Sequence, residues 1–405
     1  MQKRFTPDEG GVFPEWEEIE FGKLFQRRSE KNGEEFGVDK TISVATMHFK
    51  PEGNKADEKS LPKYKVMRTG DIAFEGHINK HFKHGRFVLN DIGDGIISPI
   101  FEVLQPVSEL SKEVPEFWKY YINYEPVMGK ILAKCANTGI MMNRLAIKDF
   151  YKQKIKVPCI EEQRKIAAAL AAYDEMIAVK TAKLEAWQEC KKRMVKEIFG
   201  RTKRFKNDDG NEFPEWEEKM LGEITEYVRN GYSYKPDGVR THKYKVTRIE
   251  TISTGKINPE KLGSCDECDE KYLLKSGDIL YSNINSLSYL GNTAIYKNSA
   301  EKIYHGMNLL CIRPKSSDID ADYLFAFLNS DAARKFVKYN AQRAVNQCSI
   351  KVSDVRNMKI PLPCMAEQQK IGNFLTEIDK EIQIEKEFVK TYAEGKKRMM
   401  SELMA

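Results

Sequence analysis

Two polar loops in this sequence carry the side-chain types that hydrogen-bond the edges of nucleobases. The first follows Gly70-Asp71-Ile72 and holds His77, Asn79, Lys80, His81, Lys83, His84 and Arg86. The second follows Gly277-Asp278-Ile279 and holds Ser282, Asn283, Asn285, Ser286, Tyr289 and Asn292. A further polar stretch, Gln342, Arg343, Asn346 and Gln347, stands just ahead of a long helical segment. The paired donors and acceptors of Arg, Asn and Gln match guanine and adenine in the major groove, while lysines mostly meet phosphates. The candidates for contact with DNA are therefore His77, Asn79, Lys80, Lys83, Arg86, Asn283, Asn285, Ser286, Tyr289, Asn292, Arg343, Asn346 and Gln347. Solvated loops are rich in the same residue types, so a plain structural reading of each stays open.

No set of residues for covalent chemistry stands out. The sequence has neither the Asn-Pro-Pro-Tyr nor the Asp-Pro-Pro-Tyr tetrapeptide of amino-methyltransferases, and it lacks the GxxxxGK[ST] phosphate cradle and a glycine-rich cofactor loop. Cys265 and Cys268 form one CxxC pair, whereas a zinc site needs two more ligands at usable spacing. Surface solvation accounts for the cluster of His77, His81 and His84 better than ligation does. No catalytic residue, metal ligand or resident cofactor is assigned.

The loops need elements to hold them. Residues from about 20 to 150 and 220 to 350 mix β-branched and aromatic runs with Gly, Asn and Asp turns, as in FGVDKTISVATMHF, KVMRTGDIAFEG, YKVTRIETIS and LGNTAIYKNS, and read as β-rich modules. Each also contains one helical stretch, around Glu116 to Ile131 and Ala321 to Val337, which makes the modules α+β. Behind each comes a long helix opened by Val-Pro-Cys or Leu-Pro-Cys, where proline suits a helix start, with Glu161, Glu162 or Glu367 in the first turn. Apolar residues recur in heptad rhythm at Ile166, Leu170, Tyr173, Ile177, Leu184 and Trp187, and at Ile371, Leu375, Ile378, Ile382, Val389 and Tyr392. These twelve are the predicted seam of a helix pair. Lys180, Lys191, Glu385 and Lys396 interrupt it, and an antiparallel pairing would bring the opposite charges of Lys180 and Glu385 to its middle. About 38 residues at 1.5 Å rise make a rod of roughly 57 Å, the length of about 17 base pairs of B-form DNA.

The chain repeats itself. RFTPDEGGVFPEWEE from Arg4 recurs as RFKNDDGNEFPEWEE from Arg204, identical at ten of fifteen positions. Residues 158–198 match 363–403 at 15 of 41 positions, including PCxxEQxKI and KKRM. Between these ends the match thins to fragments such as the GDI tripeptides. The simplest reading of a kept frame around changed interiors is that each frame meets the same partner while each interior binds something different; the alternative is that the shared ends are packing cores and the interiors tolerant loops. At 405 residues the chain exceeds one core, its charge of +6 permits a polyanion partner without requiring one, and no apolar run is long enough for a membrane helix. The start MQKRFTPDEGG lacks a secretory apolar core, so eight reduced cysteines and a cytoplasmic location are expected.

Together the two FPEW segments, the PCxxEQxKI helix starts, the KKRM segments and the GDI tripeptides resemble the specificity (S) subunit of type I restriction-modification systems, over essentially the whole chain. The resemblance implies an α+β fold of two β-rich target recognition domains joined by two long helices that form an antiparallel coiled coil, a pseudo-two-fold internal repeat. It implies recognition domains at 1–157 and 201–362, a central long helix at 158–200 and a C-terminal one at 363–405. It further implies that each domain reads one half of an asymmetric bipartite site in double-stranded DNA while the helices set the spacer. Two modification (methyltransferase) subunits would dock on the shared frames, and restriction/motor subunits would complete the complex. S-adenosylmethionine, ATP and Mg would belong to those partners, leaving this subunit without catalysis. The rival reading is a coiled-coil protein-interaction scaffold without DNA specificity.

Overall fold

The computed structural model describes residues 4–50, 58–139, 142–233, 243–252, 255–297, 301–343 and 347–404. The chain packs into two compact units, Met1–Lys180 with Phe388–Ala405, and Thr181–Glu387. The long helices, Ile160–Phe199 and Met365–Met404, contribute residues to both units.

Each unit is built on a four-stranded antiparallel sheet with one topology. In the first unit the order is Phe25–Arg27, Glu102–Pro106, Ile72–Glu75, Arg86–Leu89; in the second it is Thr225–Asn230, Leu310–Pro314, Ile279–Tyr281, Thr293–Ile295. Strands Ile72–Glu75 and Ile279–Tyr281 are buried on both faces, which explains their runs Ile-Ala-Phe and Ile-Leu-Tyr. The GDI tripeptide starts the same strand in both. Gly70 and Gly277 sit at φ +87° and +92°, a left-handed turn that favours glycine. Asp71 accepts the Arg68 N–H at 2.8 Å and Asp278 the Lys275 N–H at 2.8 Å. Each buried carboxylate also takes a guanidinium, Arg28 at 2.6 Å in one unit and Arg313 at 2.6 Å in the other. The motif is thus a structural corner, and the loops of interest leave from the far end of the strand it starts.

The shared frame has an internal explanation. Glu162 is 1% exposed and accepts from Arg4 Nη2 at 2.7 Å and Trp16 Nε1 at 3.1 Å; Glu367, fully buried, accepts from Arg204 Nη2 at 2.9 Å and Trp216 Nε1 at 2.9 Å. Gln163 and Gln368 donate back to the carbonyls of Pro158 and Pro363, and Lys165 and Lys370 reach Asp8 and Asp208. Strand Glu17–Glu20 then pairs with Lys154–Val157, and Glu217–Met220 with Lys359–Leu362, in matching register. Repetition of FPEW and PCxxEQxK therefore reflects one clamp made twice, which fastens each frame segment to the start of a long helix.

The helices run antiparallel within each unit. In the first, Tyr173 meets Tyr392 edge-on at 6.4 Å, Asp174 takes Lys396 at 2.5 Å and Lys180 lies 4.2 Å over the Phe388 ring. In the second, buried Glu385 takes Lys183 at 2.6 Å and Asp379 takes Lys191 at 2.6 Å. Lys191 and Lys396, which interrupt the heptads, are thus half of a duplicated ion pair. Its members keep 20–44% of their side-chain surface, so Asp174→Asn and Asp379→Asn should each lower stability by no more than about 1 kcal/mol in urea unfolding.

The predicted seam is only partly a helix–helix seam. Ile166 and Leu170 are buried with Phe117, Trp118, Leu403 and Met404 in the core of the first unit. Ile371, Leu375, Ile378 and Ile382 join Met194, Ile198, Tyr323 and Phe327 in the core of the second, with Leu184 and Trp187 packed against them. Ile177 and Val389 are half-buried. The single helical stretch expected before each rod is two helices. Pro115–Tyr121 is followed by Glu125–Cys135, restarted with Pro126 in its first turn; Ala321–Leu328 is followed by Asp331–Asn340, capped by Ser330.

Candidate nucleic-acid interface

In both units the chain that leaves the GDI strand is tied to the residues just ahead of the long helix. In the first, the Asn143 N–H donates to the Gly76 carbonyl at 2.8 Å, beside the hairpin of Ala136–Asn137 and Arg144–Leu145. The approach is so close that a Cβ on Gly76 would lie 2.0 Å from the Asn143 carbonyl oxygen. In the second, the Ile350 N–H donates to the Asn283 carbonyl at 2.9 Å, and strands Ile284–Asn285, Cys348–Ser349 and Gln342–Arg343 form one small sheet. Segments far apart in sequence, 284–285, 342–343 and 348–349, therefore belong to a single small sheet.

The candidate residues fare differently. His77, Lys80 and Lys83 are exposed. Asn79 is exposed as well, but its Oδ1 accepts from the His81 and Phe82 N–H groups and shapes the loop. Arg86 is engaged by Glu75 at 2.6 Å and stacks 5.3 Å over Phe82; Asn283 is 5% exposed inside the junction. Arg86 is thus held by an ion pair, and Asn283 is buried while its backbone carbonyl makes the junction. Ser286 and Tyr289 are exposed, and Asn285 Oδ1 accepts the Ser286 N–H. Asn292 Oδ1 accepts from Arg334 at 2.9 Å. Arg343 and Gln347 are exposed, and Asn346 lies outside the described residues.

Sequence reasoning missed the first unit's counterpart of the 342–347 stretch. Asn137 and Gln342 each stand 21 residues ahead of their Pro-Cys, so the repeat itself could have pointed to Asn137, Thr138 and Arg144, all exposed. It also missed Tyr339, which closes helix Asp331–Asn340 three residues before the small sheet and is 90% exposed. Segment YKVTRIETIS, read as strand, is strand only at Tyr244–Val246. Ile249–Ile252 is a 3-10 turn, because the Thr251 hydroxyl accepts the Arg248 N–H and competes with a ladder. That turn and residues Ser282, Asn285, Tyr289 and Asn292 line a cavity of about 170 Å³.

The thiols of the CxxC pair are held in their neutral form by burial. Burial pushes the Cys268 thiol up to about 12, with neighbouring Cys265 adding to it. His305, also in the second unit, is 1% exposed and donates its Nε2–H to the Leu309 carbonyl at 2.9 Å; burial pushes its pKa down to about 4. Its contribution to stability is complete above the unfolded value of about 6.5 and is lost progressively as pH falls toward 4, because the unfolded chain takes the proton first. We expect about 3 kcal/mol of acid destabilisation over that window, absent from His305→Gln when the two are compared by urea unfolding at pH 7.5 and 4.5.

A model of the "Type I restriction modification DNA specificity domain" family matches residues 15–186 and again 214–390. The chain belongs to this family. Its two copies coincide with the duplicated frame, sheet and hairpin described above. Among relatives of the family, a Methanocaldococcus jannaschii protein named for the MjaX type I restriction enzyme specificity subunit is 39% identical over 210 residues, 51% of this chain and 49% of that one. The chain thus aligns with about half the length of that relative. The MjaVIII specificity subunit of the same organism is 27% identical over 322 residues, 76% of this chain and 73% of that one. The type I S subunit of M. genitalium shares the fold, with a TM-score of 0.63 at 14% identity over 99% of both chains. No described helix is long and apolar enough to cross a membrane.

Proposed function

We infer that this chain is the DNA-reading subunit of a type I restriction-modification complex, in which each unit reads one half of an asymmetric bipartite site. The observation that carries the inference is one sheet-and-hairpin scaffold made twice and bearing unlike polar surfaces: His77, Lys80, Lys83, Asn137 and Arg144 on one copy, and Asn285, Tyr289, Tyr339 and Arg343 on the other. Identical readers would suit a symmetric site, whereas unlike ones suit two different half-sites. Recognition domains at 1–157 and 201–362 and helices at 158–200 and 363–405 give the division of labour, with the helix pair as a coiled coil that sets the spacer.

The clamp consumes most of the shared frame, so docking of two modification subunits falls to shared residues that stay exposed. Lys192-Arg193 and Lys397-Arg398 are such a pair, beside the duplicated ion pairs, and suit acidic partner surfaces. Catalysis, with S-adenosylmethionine for methylation and ATP and Mg for restriction, then rests with the partners.

The test is methylome sequencing of cells that hold the modification partner with and without this chain. Gain of one split motif supports the reading, and absence of any new motif under confirmed expression overturns it.

A further inference from the structure

The cavity of the second unit lies where the candidate loop meets the 3-10 turn, and its lining is chemically uneven. Ile249, the 1% exposed Ile252 and the half-exposed Tyr289 supply apolar walls. Asn285 and Asn292 supply amides whose oxygens are committed, Asn285 Oδ1 to the Ser286 N–H and Asn292 Oδ1 to Arg334. Asn285 Nδ2 is directed to Ser282 Oγ at 3.2 Å. Glu250 is the one charged group in the lining, 55% exposed and held by Arg248 at 3.2 Å, whose hydrogen bond keeps its carboxyl below the usual range.

A carboxylate on a DNA-facing surface is repelled by phosphates, so it favours binding only where it accepts a hydrogen bond from a base. In the major groove the available donors are the exocyclic amines of cytosine and adenine; guanine O6 and N7 and thymine O4 are acceptors that a carboxylate rejects. Apolar walls strengthen both the attraction and the rejection by keeping water from the bond. In the first unit no such turn follows strand Lys65–Met67, which leads within four residues to Asp71.

The geometry points to this cavity as a reader of one exocyclic amino group, that of a cytosine or an adenine, in the half-site of the second unit, with Glu250 as acceptor. This rests on the reading of the chain as a DNA-recognition subunit and adds the identity of the base edge. Glu250→Gln replaces an acceptor-only group with one that also donates, so the position should accept guanine or thymine.

The experiment compares methylomes of cells carrying the modification partner with wild-type chain, Glu250→Gln or Tyr289→Ala, each checked for unchanged thermal melting. One position of one half-site should relax from an amino-bearing base to a mixture, with discrimination falling about tenfold to a hundredfold, while the other half stays intact. The wild-type base at that position, cytosine or adenine, identifies the source of the amine. A split motif unchanged by both variants, or weakened equally at every position, overturns the cavity alone. A wild-type chain that confers no split motif overturns the underlying reading instead.

Discussion

Glu367→Ala is expected to lower the stability of the Thr181–Glu387 unit by about 3 kcal/mol, and Glu162→Ala to do the same to the other unit. Each carboxylate is all but fully buried, and each is the meeting point of an arginine and an indole N–H from the frame segment. Removal of the acid leaves Arg204 or Arg4 without its buried partner and Trp216 or Trp16 with an unsatisfied donor. The arginines keep 23% and 20% of their side-chain surface, which lets water recover part of the loss and sets the figure at the low end for a broken buried pair. Hydrogen exchange localises the effect. Glu367→Ala should speed exchange in 204–218 and strand Lys359–Leu362 and leave 4–18 unchanged, with the converse for Glu162→Ala. Equal exchange in wild type and variant would show that the clamp contributes nothing to holding the frame.

Those clamp residues also mark how far sequence pattern reaches. The long helices were legible because heptad spacing, proline starts and the lack of internal breakers all agree, and both helices begin within two residues of their Pro-Cys. What the heptads could not say is that Ile166 and Ile371 face an α/β core rather than a partner helix, since an apolar stripe does not record what covers it. Frame identity was legible as repetition, but its cause was not. A partner-docking surface and an internal clamp produce the same kept residues, and only the buried Glu162 and Glu367 separate them.

The candidate interface was legible in composition and not in geometry. Arg86 and Asn283 have the chemistry of base readers, and nothing local in the sequence announces that Glu75 holds the first or that the second is buried. The 3-10 turn at Ile249–Ile252 was hidden by β-branched residues that usually indicate strand; a single hydroxyl, that of Thr251, decides the matter.

Arg144→Ala and Arg343→Ala should each weaken binding of the assembled complex to its site about tenfold to a hundredfold, through different halves of the DNA. Both side chains are exposed on equivalent hairpins and stand beside the chain that leaves the GDI strand. An arginine that forks onto guanine O6 and N7 loses about 1–3 kcal/mol on truncation, and only at the base pair it touches. An arginine that meets only a phosphate behaves otherwise: its loss weakens all sequences alike and reduces the salt dependence by about one counterion. Titration of each variant against DNA mutated in one half-site at a time separates these roles. Loss of discrimination confined to opposite halves for the two arginines would assign each hairpin to its own half-site. A loss shared by both halves in either variant would contradict independent readers, because the hairpins belong to separate units and separate sheets.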